Sequence, residues 1–155
     1  MSRHVVVNCE DKLAPFMERH CHSHGAFTVG RAVGLVDVHD DREPEILASV
    51  WFDSFNGANV NIHVAALPGR RWLNREFLWY GFHCPFNEWG VKRVTGLVAS
   101  SNYDARRFDE HLGFKLEATL KDAAPDGDML VYVMFKKDCR WLNVRNNVPP
   151  MKGVH

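Results

Sequence analysis

His63 lies in an alternating run, 58–67, in which Val60, Ile62 and Val64 point to one side and Asn59, Asn61 and His63 to the other. An imidazole titrates near neutrality and can accept a proton from a nucleophile at physiological pH, which makes His63 the preferred candidate base. Asp53 ends the run before it, across the hairpin signal Asn56-Gly57, and is the second candidate. Tyr103 and Tyr132 are the phenols that could act as acids. Arg70 and Arg71 follow the break at Pro68-Gly69 and are suited to charge-assisted contacts with phosphate. Asn102 closes Ser100-Ser101-Asn102, a sequence that caps a helix, and its amide is also free to meet a ligand. The stretch His20-Cys21-His22-Ser23-His24 is the one cluster of metal-ligand types, but no second ligand group at a known spacing accompanies it, so no metal is expected.

The elements that carry these residues follow from periodicity and breakers. Arg3 to Asn8 reads as a first strand, and 11–22 as a helix with Leu13, Phe16, Met17 and His20 along one side. Three strand-like runs follow, 27–39, 46–54 and 58–67, the first two separated by the charged turn 40–44. A helix is expected over 70–82, then a strand over 91–100. A helix over 103–112 follows, stopped by Gly113 as glycine commonly does at a C-terminal cap. Two last strands, 114–121 and 129–137, flank a turn-rich loop at 122–128. This order predicts an α/β (α+β) domain: a mixed, mostly antiparallel central sheet with helices on both faces. The domain is expected over 1–142, with a tail over 143–155.

Composition agrees with a soluble globular chain. Of 155 residues, 46% are apolar and 25% charged, and the formal net charge is zero, which argues against bulk attraction to nucleic acid or an anionic membrane. No signal-peptide core or bilayer-length apolar span is evident, so a cytoplasmic protein without membrane association is expected. Cys9, Cys21, Cys84 and Cys139 form no CxxC pair and read as free thiols. The aromatic run from Trp79 to Trp89 reads as core, with a homodimer contact as the alternative.

Residues 94–142, VTGLVASSNYDARRFDEHLGFKLEATLKDAAPDGDMLVYVMFKKDCRWL, resemble the C-terminal half of the GCN5-related N-acetyltransferases. The resemblance rests on Asn102, Ala105, Leu112, Gly113, Phe114, Glu117 and the closing Tyr132-Val133-Met134, in family order and spacing, and is greatest to the branch of ribosomal-protein N-acetyltransferases and their small bacterial and phage relatives. It implies an acetyl-CoA-dependent N-acetyltransferase acting by direct attack of a primary amine of a protein or small molecule. It further implies a splayed pair of parallel strands, 58–67 and 92–100, with the pantetheine arm between them. Ala65 and Leu67 would then supply backbone partners, Gly69, Arg70, Arg71, Trp72, Leu73 and Asn74 the pyrophosphate site, and Asn102 a contact to the cofactor arm. On the same resemblance His63 is the base, Asp53 the runner-up and Tyr103 a substitute acid, because Asp109 stands four before Gly113 where many relatives carry a catalytic tyrosine. The single glycine of the 67–72 loop departs from the family's glycine-rich pattern, and a catalytically weak or inactive interaction protein of the same fold is the alternative expectation.

Overall fold

The computed structural model describes residues 1–21 and 27–147, with side chains through Asn143. The described residues form seven strands and three α-helices. They are β1 (Ser2–Val7), α1 (Glu10–His20), β2 (Arg31–Val38), β3 (Glu45–Asp53), β4 (Asn59–Ala66), α2 (Arg75–His83), β5 (Arg93–Ala99), α3 (Tyr103–Leu112), β6 (Lys115–Ala124) and β7 (Gly127–Phe135). The strands form one sheet in the order β1-β2-β3-β4-β5-β7-β6. Every neighbouring pair is antiparallel except β4 and β5, which run parallel and are joined by the crossover through α2. The expected mixed, mostly antiparallel sheet is therefore observed. None of the helices among the described residues is long and apolar enough to cross a membrane.

Alternation along the strands divides the core in two. On one face α1 places Leu13, Phe16 and Met17 against Phe27, Trp51 and Ala65. On the other, α2 and α3 cover Phe52, Val60, Val94, Tyr132 and Met134. The aromatic run belongs here: Trp79, Tyr80, Phe82 and Phe86 are buried, and Trp89 meets the Phe52 ring edge-on at 5.1 Å. Core is thus the reading that holds for these side chains.

Several boundaries differ from the expectation for local reasons. Helix α2 starts at Arg75 rather than residue 70, because Asn74 is extended and its side chain accepts the Phe77 N–H at 2.7 Å, the geometry of an N-cap. Gly69, at φ +71°, occupies the left-handed region between the strand and that cap. The expected long loop at 122–128 is instead a tight hairpin at Pro125-Asp126, since β6 continues to Ala124 and pairs it with Gly127. Asp122, at φ +57°, absorbs the irregularity in register.

Gly30 fixes the wall of the α1 face. At φ +154° its backbone passes so close to β3 that a Cβ there would stand 2.4 Å from both the Phe52 carbonyl and Trp51 Nε1. That indole in turn donates to the Val29 carbonyl at 3.3 Å. Gly30→Ala is expected to destabilise the fold by about 3 kcal/mol, read as a lower urea midpoint at unchanged slope.

Candidate functional site

Parallel pairing of β4 with β5 begins at Asn59 and Arg93 and ends at Ile62 and Gly96, although β4 continues to Ala66 and β5 to Ala99. Beyond that point β4 pairs only with β3, through Trp51 and His63 to Ala48 and Ala66, and β5 only with β7. The two strands fork. A fork leaves backbone groups without strand partners, and the register says which. The Ala58 carbonyl accepts from Lys92 N and faces β5, whereas the Leu67 N–H donates to the Leu47 carbonyl at 2.8 Å and faces β3. By alternation the N–H and C=O of Val64 and Ala66 point into the gap. Leu67, expected with Ala65 to supply a backbone partner to the pantetheine arm, directs its N–H away from the gap, and Ala65 shares its parity.

His63 is the first β4 residue past the fork and projects to the α1 face. Its Nε2 lies 3.0 Å from Asp53 Oδ2, and Asp53 Oδ1 accepts from Ser54 Oγ at 3.2 Å. The edge of Phe27 meets the imidazole at 5.5 Å. Both partners of the pair are partly accessible, at 19% for His63 and 31% for Asp53. A carboxylate only accepts, so in the neutral ring Nε2–H donates to Asp53 and the lone pair sits on Nδ1, at the level where the two strands part. The two candidate bases thus form one hydrogen-bonded pair. A polar row, in which Asn59 Nδ2 donates to Asn61 Oδ1 and Arg93 donates to Thr95 Oγ1, extends along the same face.

The loop between β4 and α2 uses its arginines unequally. Arg70 donates to Glu45 at 2.6 Å and to Asp37 at 3.3 Å, and Arg3 donates to the same Asp37 at 2.8 Å. The Asp37 side chain is fully buried, so Arg70 serves to neutralise a buried carboxylate and to tie the loop to β2 and β3. Arg71 is exposed, and its guanidinium makes no hydrogen bond among the described residues. Trp72 packs against Phe77 and Phe108, pinning the loop to α2 and α3. The hydrogen bond from Arg3 holds the Asp37 pKa below the ordinary carboxylate range. A depressed folded-state pKa stabilises at pH above about 4 and loses that contribution as pH falls through the folded value. Urea midpoints are therefore expected to drop below about pH 4, less steeply in Asp37→Asn.

Asn102 caps α3 by accepting the Ala105 N–H at 3.2 Å, which leaves its amide NH2 to donate elsewhere. Gly113, at φ +110°, ends the helix as expected. Tyr103 does not approach His63 or Asp53. It stands 65% exposed on the solvent side of α3 with Arg106 over its ring at 5.4 Å, beside a depression of about 350 Å³ that Arg107 and Glu110 also line. Tyr132 is buried and donates to Glu110 at 3.0 Å. Asp109, singled out in the sequence only for replacing a tyrosine, reaches the fork from α3: a Cβ on Gly96 would lie 3.3 Å from its Oδ2. Burial, with the neighbouring Glu110 charge adding to it, pushes the Asp109 carboxyl up to about 7. Of the histidine cluster, His22 and His24 lie outside the described residues, His20 packs against Phe16, and no group of metal-ligand side chains forms among the described residues.

The fold of this chain is similar to that of solved acetyltransferases. A variant of spermidine N-acetyltransferase SpeG from Vibrio cholerae superposes with a TM-score of 0.68 over 91% of this chain and 96% of that one, at 13% identity. The fold is that of the GCN5-related N-acetyltransferases. YncA from Salmonella typhimurium, a putative acetyltransferase solved with acetyl-CoA, has this GNAT fold with a TM-score of 0.63 at 13% identity, covering 87% of this chain and 94% of that one. A GNAT-family acetyltransferase from Bacillus anthracis matches 68% of this chain and 66% of that one, with a TM-score of 0.56 and 15% identity. By sequence the chain matches no protein-family model and no curated protein.

Proposed function

We propose that this chain transfers the acetyl group of acetyl-CoA to a primary amine of a protein or small molecule, at the fork between β4 and β5. The observation that carries the reading is the fork itself, where Val64 and Ala66 present unpaired backbone groups to the gap beyond Ile62 and Gly96. An amide-containing arm laid between the strands would complete their hydrogen bonding. The N–H groups of the 69–74 loop and the first turn of α2 suit a pyrophosphate, with Arg71 as the available cation and Arg70 as the tether that shapes the loop. Asn102 would donate to the arm from the start of α3.

The acceptor amine must be neutral to attack, and a lysine-like amine has a pKa of about 10.4. His63 takes that proton at Nδ1, with Asp53 holding the ring and stabilising the imidazolium. Acetyl-CoA supplies an acyl group on a leaving thiol, and positioning in the fork supplies much of the rate. Thermal unfolding with and without acetyl-CoA tests the binding half: at a hundred times its Kd the ligand adds about 2.7 kcal/mol of stability. Thiol release with pooled amines tests the other half. Binding without turnover across the amine pool would favour the inactive interaction protein, and absence of binding would sink the proposal.

A further inference from the structure

The tyrosine position of the GNAT resemblance is filled by a carboxyl, and its surroundings suit a role of its own. Asp109 lies on α3, which covers the face opposite His63. Its Oδ2 approaches Gly96, the last β5 residue paired with β4, closely enough that a methyl group at that glycine would be crowded at 3.3 Å. The same Cβ would come within 3.9 Å of Ile62 and 4.0 Å of the Tyr132 Cβ, so the carboxyl, the glycine and the last paired residue of β4 meet at one point. The Asp109 side chain makes no hydrogen bond to any described residue. The nearby Glu110 accepts from Tyr132, and Arg106 donates to the Ser100 carbonyl. The carboxyl is thus left unpartnered at the base of the gap.

We propose that Asp109, in its protonated form, is the general acid of this chain, donating its proton to the sulfur that leaves as the acyl group departs. This rests on the acetyl-transfer reading of the fork. The acceptor nitrogen forms a bond to the acyl carbon as the carbon–sulfur bond breaks. The amine proton goes to His63 Nδ1, the Asp109 proton goes to the thiolate, and solvent restores both groups. Base and acid then stand on opposite faces of the sheet at the same level of the fork, since His63 follows Ile62 directly and Asp109 abuts the Gly96 paired with Ile62.

The ionisation of Asp109 fits that task. Burial raises its pKa to about 7, so near neutrality a large fraction carries a proton. Among the described residues the charge that bears on it is Glu110 on α3, which raises it further; β5 and β4 bring only uncharged Gly96 and Ile62. A raised carboxyl pKa costs stability as pH rises from about 4, where the unfolded group ionises, toward about 7, so Asp109→Asn is expected to stay folded and to unfold at a higher urea midpoint at pH 7.5.

Two measurements on the full chain decide the matter. Titration calorimetry of acetyl-CoA near pH 7 in buffers of different ionisation enthalpy reads the proton count: wild type is expected to take up a fraction of a proton on binding, and Asp109→Asn none. The pH profile of kcat is expected to fall on its alkaline side in wild type. In Asp109→Asn that limb should vanish and kcat at pH 7 should be about tenfold lower. Binding with no proton uptake, with uptake unchanged in the asparagine variant, or with the alkaline limb retained there would overturn the acid role and leave the acetyl-CoA reading standing. Absence of any acetyl-CoA binding would overturn both.

Discussion

His63→Ala is expected to lower kcat by about 10²–10³-fold while leaving acetyl-CoA affinity within about a factor of two. The imidazole is partly buried, hydrogen-bonded to one carboxylate and carried by the first strand residue past the fork, so its loss removes the ring proposed to accept the amine proton. It faces the α1 side, whereas the backbone groups assigned to the cofactor arm lie in the gap, hence the split between kcat and binding. Asp53→Asn should cost less, about tenfold, because an amide can still hold the ring but no longer stabilises its cation. Steady-state kinetics with acetyl-CoA saturating would check both; retained turnover in His63→Ala would remove the base assignment.

Ala66→Pro should weaken acetyl-CoA binding by about 100-fold, or about 2.7 kcal/mol. Proline removes an N–H that faces the gap and places its ring where the arm would lie. The same substitution leaves pairing with β3 intact, because the inward-facing hydrogen bond belongs to the next residue, whose N–H meets the Leu47 carbonyl at 2.8 Å. Stability should therefore change much less than affinity. A melting temperature that collapses along with binding would show that Ala66 is structural. Full affinity in a folded variant would show that the gap does not hold the arm.

The C-terminal half was readable because its signals are local. Asn102 as a cap, Gly113 as a stop and the alternation around Tyr132 each act within a few residues, and all three hold. His63 and Asp53 were singled out from a period of two and an Asn-Gly turn that joins their strands, but their direct contact depends on strand register. The rest needed tertiary structure. Arg70 looked like a phosphate ligand until Asp37, 33 residues earlier in the chain, drew it into an ion pair. Ala65 and Leu67 were expected to offer backbone groups to the arm, but theirs turn toward β3, because parity is set by which neighbour each N–H meets. The start of α2 was misplaced by five residues, since Asn74 rather than Pro68-Gly69 supplies its cap. Nothing in the sequence near Asp109 signals its partial burial or its approach to Gly96 on β5.

The central claim, that an acyl-CoA arm lies between β4 and β5, is tested most directly by amide hydrogen exchange at residue resolution with and without acetyl-CoA. The expected result is that the N–H groups of Val64 and Ala66 gain protection of at least about tenfold on adding the ligand, while Leu67, already bonded to Leu47, changes little. Unchanged exchange at Val64 and Ala66 in saturating acetyl-CoA would contradict it.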